Sequence, residues 1–277
     1  MIQEYLVASS IADALTLKRN NAKSVWFAGG TEINRMGGTV DAKVGISLKG
    51  LGLDQIVDEG PAIRIGAMVT LQELIDSPLV PLWLKEGARY CASYTRRHMA
   101  TIGGNLALMS DHSFLAPALI ASRCTLVTAN VTEGGAYSED EVPVREYYTY
   151  HKQHATTLVL AILLPKDKRY VGSLRYALSA QNRSAAAVAF GAMMGEALVI
   201  SHVRVIAAIH GSGVQRLTTV ENAIEAGELT SREDVQLAVS QALEAVDDFV
   251  GGKEYKRYIA AEGIGQLFGE FLKGGAR

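Results

Sequence analysis

MATIGGN, residues Met99–Asn105, sets two adjacent glycines between a hydroxyl residue and an amide, and AGGT, residues Ala28–Thr31, repeats the pair beside a second threonine. Glycine takes positive φ without penalty and lets backbone N–H groups approach a ligand with no Cβ in the way. Consecutive N–H groups turned inward make an anion nest, to which a neighbouring hydroxyl adds a donor. Two such loops, each at the edge of an apolar segment, suit a pyrophosphate better than a lone phosphate. One pair alone says little: the chain has 27 glycines, also paired at 37–38, 134–135, 251–252 and 274–275, and most such pairs are turns. No GxGxxG follows a strand and no GxxxxGK[ST] occurs, so the fingerprints of the Rossmann fold and the P-loop are both missing.

Outward from these loops, the pattern alternates helices and strands. Ser9 and Ser10 cap a helix whose Ile11, Ala14, Leu15 and Lys18 fall at helical spacing, and SVWFA then reads as a strand leading into AGGT. KVGISL and AIRIGAM read as further strands, the latter alternating Ile63 and Ile65 about Arg64. Thr70 and Glu73 form a capping box, and Pro81 opens a helix through Cys91. After TIGGN come a helix in SFLAPALIASR and a strand in TLVTA; the polar, glycine-bearing EGGAYSEDEVPVREYY reads as turn and loop. TTLVLAILLP is a strand too apolar to be half exposed. The charged KDKRY is then a connector, and the domain boundary is placed there: residues 1–166 as one domain, with subdomains of about 1–55 and 56–166, and 167–277 as the other. SLRYAL, AAAVAFGAMM and VRVIAAIHG read as a three-stranded antiparallel meander. Helices follow, with capping boxes at Thr218/Glu221 and Thr230/Glu233 and a last amphipathic segment weakened by Gly263, Gly265 and Gly269.

Composition narrows the function. At 277 residues the chain can bury a sizeable core. Its 27 basic and 29 acidic residues give a net charge of −2 with no basic stripe, which argues against nucleic acid as a partner. The start has no basic n-region before an apolar run, and no apolar window approaches the length of a membrane helix, so a soluble cytoplasmic protein is expected. Cys91 and Cys124 lack metal-ligand spacing, read as small core hydrophobes, and are too few to hold an iron–sulfur cluster by four thiolates. Trp26 and Trp83 read as core rings.

FAGGTEINRMGG and ASYTRRHMATIGGNLALMSDHSFLAPALIA resemble the two flavin loops of the FAD-binding middle subunit of molybdenum hydroxylases, the xanthine dehydrogenase and carbon monoxide dehydrogenase type. The resemblance extends over nearly the whole chain. It implies an α+β fold: a vanillyl-alcohol-oxidase (PCMH-type) FAD-binding domain of two subdomains, then a C-terminal domain with a three-stranded antiparallel sheet and helices. It also implies that Ala28, Gly29, Gly30, Thr31 and Glu32 hold the FAD pyrophosphate from one side, and Thr101, Ile102, Gly103, Gly104 and Asn105 from the other. The implied partners are a [2Fe–2S] subunit that delivers electrons and a molybdopterin subunit, with NAD+ or another acceptor receiving them.

Two positions depart from the family's pattern. Phe114 stands where the family usually has an aspartate, nine residues after the Asn of GGN; either Asp111 or Ser113 replaces it from a neighbouring position, or the flavin contact is altered. Ser184 stands where a second acidic residue is expected. These losses leave open an alternative, a non-catalytic accessory module that keeps the fold for assembly or FAD delivery. Arg96 and Arg97 are candidates to neutralise the pyrophosphate, a paired surface role being as apt for Arg96; His98 and His112 read as bystanders.

Overall fold

The computed structural model describes residues 2–111, 113–131, 136–150, 156–179 and 182–274. His112 and the glycine pair at 134–135 therefore lie outside the described residues, as does Gly275. The chain divides into two compact units. One comprises Met1–Val80, Ala92–Leu108 and Cys124–Leu164; the other comprises Pro81–Cys91, Met109–Arg123 and Pro165–Arg277.

The first unit opens with β1 (Glu4–Val7), α1 (Ile11–Asn20), β2 (Ser24–Phe27), α2 (Thr31–Met36) and β3 (Val44–Ser47). β3 is the middle of a three-stranded sheet, parallel to β1 and β2, and is buried along its whole length, as a strand covered on both faces must be. Ser10 starts α1 by accepting the Asp13 N–H, and Ala14 and Leu15 pack with Ile46 and Leu48. Burial of the Leu15 side chain alone contributes about 2 kcal/mol. β4 (Ile56–Asp58), β5 (Ala62–Gly66) and α3 (Leu71–Asp76) follow, and Thr70 and Glu73 make the expected capping box. After α4 (Leu82–Cys91), which belongs to the second unit, come α5 (Tyr94–Arg97) and α6 (Ile102–Ala107). α7 (Leu115–Ala121) is again in the second unit. β6 (Thr125–Val131), β7 (Tyr137–Pro143), α8 (Val144–Thr149) and β8 (Leu158–Pro165) complete the first, whose second sheet runs β4-β5-β8-β6-β7. β8 is central and almost wholly buried, which explains its unbroken apolar run.

The expectation of loop from Glu133 to Tyr148 is corrected in its described part. Tyr137–Pro143 is an edge strand paired with β6 from Val131↔Tyr137 to Thr125↔Pro143, and Val144–Thr149 is a helix. An edge strand with charges on both faces carries no period-two hydrophobic signal, and those charges guard its open side against further pairing.

In the second unit, β9 (Tyr170–Tyr176), β10 (Ala186–Met194), β11 (Ile200–Ile209) and β12 (Gly213–Arg216) form an antiparallel sheet in the order β12-β11-β10-β9. The meander thus gains a short fourth strand. Val203, Val205, Ala207 and Ile209 alternate onto the face covered by α9 (Thr218–Glu225), α10 (Arg232–Ala242) and α11 (Lys253–Leu272), while Ala187 and Ala208 meet Phe114 on the other. α7 runs so close to β10 that a Cβ on Gly191 would lie 2.5 Å from the Ala121 carbonyl oxygen.

Both C-terminal capping boxes are corrected. Glu221 does not cap α9: its buried carboxylate accepts the Val205 N–H at 2.9 Å and two bonds from Arg216, at 2.6 and 2.8 Å. The second box is one residue on, Ser231 with Asp234. α11 runs unbroken for 20 residues, and two of its three glycines are contact points, where a Cβ on Gly263 would meet the Tyr176 hydroxyl at 2.8 Å and one on Gly265 the Gln236 side chain, whereas Gly269 faces open space.

Trp83 is buried; Trp26 is half-buried, its indole N–H donating to Thr157 O at 3.2 Å. Among the described residues no helix is long and apolar enough to cross a membrane, and no cluster of His, Cys, Asp and Glu suits a metal.

Candidate FAD site

Both glycine loops lie in the first unit, side by side. AGGT follows directly from β2, and Gly30, at φ +66°, turns the chain into α2. A residue with a side chain would be strained there. Gly29 is glycine for another reason: a Cβ on it would lie 1.6 Å from Met99 O, at the entrance to the other loop. Gly103 sits on Ala67, whose Cβ and carbonyl oxygen would be 2.5 and 2.7 Å from an added Cβ. Gly104 differs from these three. It is exposed, and a Cβ built there would lie 2.9 Å from Thr101 Oγ1 and 3.9 Å from Ala28 Cβ.

The second loop is held by its own hydrogen bonds. Ile102 N–H donates to Val69 O at 3.0 Å and Gly103 N–H to Ala67 O at 2.9 Å. Thr101 caps α6, its Oγ1 accepting the Gly104 N–H at 3.1 Å, and Asn105 N–H donates to Thr101 O at 2.9 Å. These N–H groups are engaged within the protein, so the Asn105 side-chain amide and the Thr101 hydroxyl proton are what this loop still offers a ligand. Asn105 Oδ1 is buried and has no hydrogen-bond partner among the described residues. An orphaned buried acceptor costs about 1–3 kcal/mol, and a ligand donor would remove that cost. On the first loop, the Thr31 and Glu32 N–H groups belong to the first turn of α2, where no intrahelical acceptor exists.

The Glu32 carboxylate bridges two arginines, accepting from Arg35 Nε at 2.7 Å and from Arg96 Nη2 at 2.8 Å. Burial pushes its pKa up, but the hydrogen bonds and charges of Arg35 and Arg96 outweigh burial and hold it below the ordinary glutamate value. Arg97 donates to Gln72 Oε1 at 3.2 Å and lies over the Tyr94 ring, and His98 packs edge-on against the same ring. The sequence reading missed Ala67 as the floor under Gly103, since a small residue after a strand is no signal of its own.

Asp111 belongs to the second unit, where its Oδ2 accepts the Gly211 N–H at 2.9 Å. Phe114 is buried there against Ala187 and Ala208, with the Tyr90 ring edge-on at 6.0 Å. Ser184 is also buried, its Oγ accepting from Arg175 Nε at 2.8 Å. Neither position supplies a carboxylate.

Residues 1–167 match the family model for the FAD binding domain in molybdopterin dehydrogenase, so the chain belongs to that family. The family's cofactor is FAD, and the paired loops with the orphaned Asn105 oxygen fit a group that brings both anionic oxygens and hydroxyl donors. The Escherichia coli (strain K12) protein YgfM, described as uncharacterized, is 29% identical over 278 residues, covering 99% of this chain and 98% of YgfM. Among solved structures, the carbon monoxide dehydrogenase of Hydrogenophaga pseudoflava lacking the Mo-pyranopterin moiety of its molybdenum cofactor superposes with a TM-score of 0.88 at 22% identity, over 100% of this chain and 99% of that one. Quinoline 2-oxidoreductase from Pseudomonas putida 86 superposes at 0.85 and 15% identity, over 99% and 98%. These two share the fold.

Proposed function

We propose that this chain is the FAD-binding electron-transfer subunit of a xanthine dehydrogenase-like molybdenum hydroxylase. A partner [2Fe–2S] subunit would deliver electrons, a molybdopterin subunit would hold the substrate, and NAD+ or another acceptor would take the electrons away. The observation that carries the reading is the junction of the two glycine loops, with the buried Asn105 Oδ1 lacking a donor among the described residues. Bound flavin supplies the redox chemistry by accepting and releasing electrons; the protein supplies position and electrostatics. The residues of the first unit accordingly do no proton chemistry in this proposal. The Ala28–Glu32 backbone, through the Thr31 and Glu32 N–H groups, would hold the pyrophosphate from one side, and the Thr101 hydroxyl and Asn105 amide from the other. The backbone bonds of Ile102 and Gly103 keep the second loop rigid before the ligand arrives rather than touching the ligand themselves. Two cysteines cannot ligate a cluster through four thiolates, which supports a cluster supplied by another chain.

A second reading, an accessory module for assembly or FAD delivery, is favoured by one observation: Phe114 and Ser184 are buried in packing roles and offer no acidic contact. Titration of the purified chain with FAD, followed by flavin absorbance and fluorescence, separates the two. Uptake of about one FAD per chain, together with recovery of iron and molybdenum subunits when the chain is isolated from its native host, supports the electron-transfer subunit. A colourless chain that refuses added FAD refutes it.

A further inference from the structure

Arg96 and Glu32 are 64 positions apart in sequence, yet their side chains make a 2.8 Å ion pair. Arg96 stands in α5, whose chain continues directly into Met99 and TIGGN, while Glu32 stands in the first turn of α2, immediately after AGGT. The pair therefore links the two glycine loops by side chains, just as the contact of Gly29 with Met99 links them by backbone. Arg35, the other partner of Glu32, is three residues away on the same helix and links nothing. Glu32, Arg35 and Arg96 together carry a charge of about +1; without Arg96 they sum to about zero, and without the Glu32 charge to about +2.

A pyrophosphate brought between these loops is an anion, and an uncompensated carboxylate in the adjacent turn would repel it. Glu32 is well placed to do so, since its side chain is 29% exposed and sits beside the loop rather than in bulk water. A mechanical tie alone would need only complementary partners. The excess of arginine over glutamate points to a second task, which is to keep the local field positive.

We propose that Arg96 is a positioning residue of the flavin site: it ties the two glycine loops together through Glu32 and keeps that carboxylate from opposing the anionic cofactor. The inference rests on the FAD-binding reading above. Because the role is partly electrostatic, the two partners are not equivalent. Arg96→Ala loses both the tie and a positive charge, so its FAD dissociation constant rises by about tenfold; Glu32→Gln loses the tie but removes the repelling charge, so its rise stays within about threefold. Arg96→Lys, which keeps the charge without the fork, falls between them.

The experiment measures FAD binding to the apoprotein of the full chain by flavin fluorescence at about 50 mM and about 500 mM salt, with the melting temperature of each apoprotein as the folding control. The expected result is the order Arg96→Ala worse than Arg96→Lys worse than Glu32→Gln, a deficit that narrows at high salt, and apoprotein melting temperatures within a few degrees of one another. Equal losses in Arg96→Ala and Glu32→Gln that ignore salt would overturn the electrostatic role. Arg96→Ala binding within twofold of the parent would overturn the proposal altogether. A parent chain that takes up no FAD would instead overturn the FAD-binding reading on which it rests.

Discussion

Replacing Gly103 by alanine tests whether the glycines of the two loops serve the ligand or the fold. The added Cβ would lie 2.5 Å from Ala67 Cβ and 2.7 Å from Ala67 O, whereas carbon atoms in contact rest about 3.5–4 Å apart. The loop must therefore retreat by about 1 Å from residues 67–69, and the Gly103 N–H···Ala67 O bond of 2.9 Å stretches beyond useful length. Overpacking of this kind costs about 1–3 kcal/mol and the lost bond about 1 more, so Gly103→Ala should destabilise the first unit by about 2–4 kcal/mol. Gly104→Ala is the control. Its Cβ would crowd Thr101 Oγ1 at 2.9 Å but otherwise meets little, and alanine regains about 0.5–1 kcal/mol of helix propensity, leaving a net change within about 1 kcal/mol. That methyl would stand next to Ala28, between the loops, so FAD affinity should fall although stability does not. The chain has two tryptophans, Trp26 in the first unit and Trp83 in the second, so a Trp83→Phe background makes urea-induced fluorescence change report the first unit alone. With a denaturant slope of about 2 kcal/mol/M, the midpoint for Gly103→Ala should drop by roughly 1–2 M. A midpoint within about 0.3 M of the parent would refute the packing account and return Gly103 to a purely ligand-binding role.

Asn105→Leu should leave apoprotein stability unchanged or raised by about 1 kcal/mol, because it deletes a buried acceptor without a partner, while weakening FAD binding by about tenfold; melting and flavin titration check the two halves separately. In the second unit, Lys256 is fully buried and donates to His210 O at 3.0 Å, Val246 O at 2.9 Å and Asp248 Oδ2 at 2.6 Å, so Lys256→Met should cost about 3–5 kcal/mol of unfolding free energy, read from Trp83 fluorescence. Burial opposes ionisation of Asp248, but hydrogen bonds from Lys256 and His210 overcome it and hold its pKa far below the ordinary aspartate value. A depressed carboxylate stabilises the fold above its unfolded pKa of about 3.9 and loses that contribution as pH falls below it. Acid titration should therefore show the second unit weakening below about pH 4, and Asp248→Asn should flatten that slope while starting less stable at pH 7. Burial also pushes the Cys91 thiol up to about 12, the nearby Arg175 charge and Leu115 N–H only partly countering it. Cys91 is only half-buried, but at pH 8 its thiolate fraction is on the order of one in ten thousand, so a thiol reagent should label it slowly in the native protein and quickly after denaturation, and prompt native labelling would contradict the raised pKa.

Much of the local structure was legible because its signals are local. The Thr70/Glu73 box, the Ser10 cap and the apolar run of β8 each need only neighbouring residues to be read. The signals failed where long-range partners took over. Glu221 resembles a capping residue in sequence, yet the Arg216 guanidinium and the Val205 N–H claim its carboxylate. Gly263 and Gly265 look like helix breakers, yet they are where α11 meets the Tyr176 and Gln236 side chains. Tyr137–Pro143 hid as a loop because an edge strand with acidic residues on both faces shows no hydrophobic alternation.

The same division runs through the flavin site. By itself the sequence determined the two loops, their glycine pairs and the family, since these depend on residue types at fixed short spacings. Only the tertiary structure decided what each glycine is for: Gly29 and Gly103 are small because another backbone segment passes within contact of them, Gly30 because φ is positive, and Gly104 alone faces outward. It also decided that Arg96 meets Glu32, and that Ile102 and Gly103 spend their N–H groups on the protein rather than on a ligand. The physical reason is that an anion nest and a tight crossing ask for the same residue, and only the position of the neighbouring chain tells them apart.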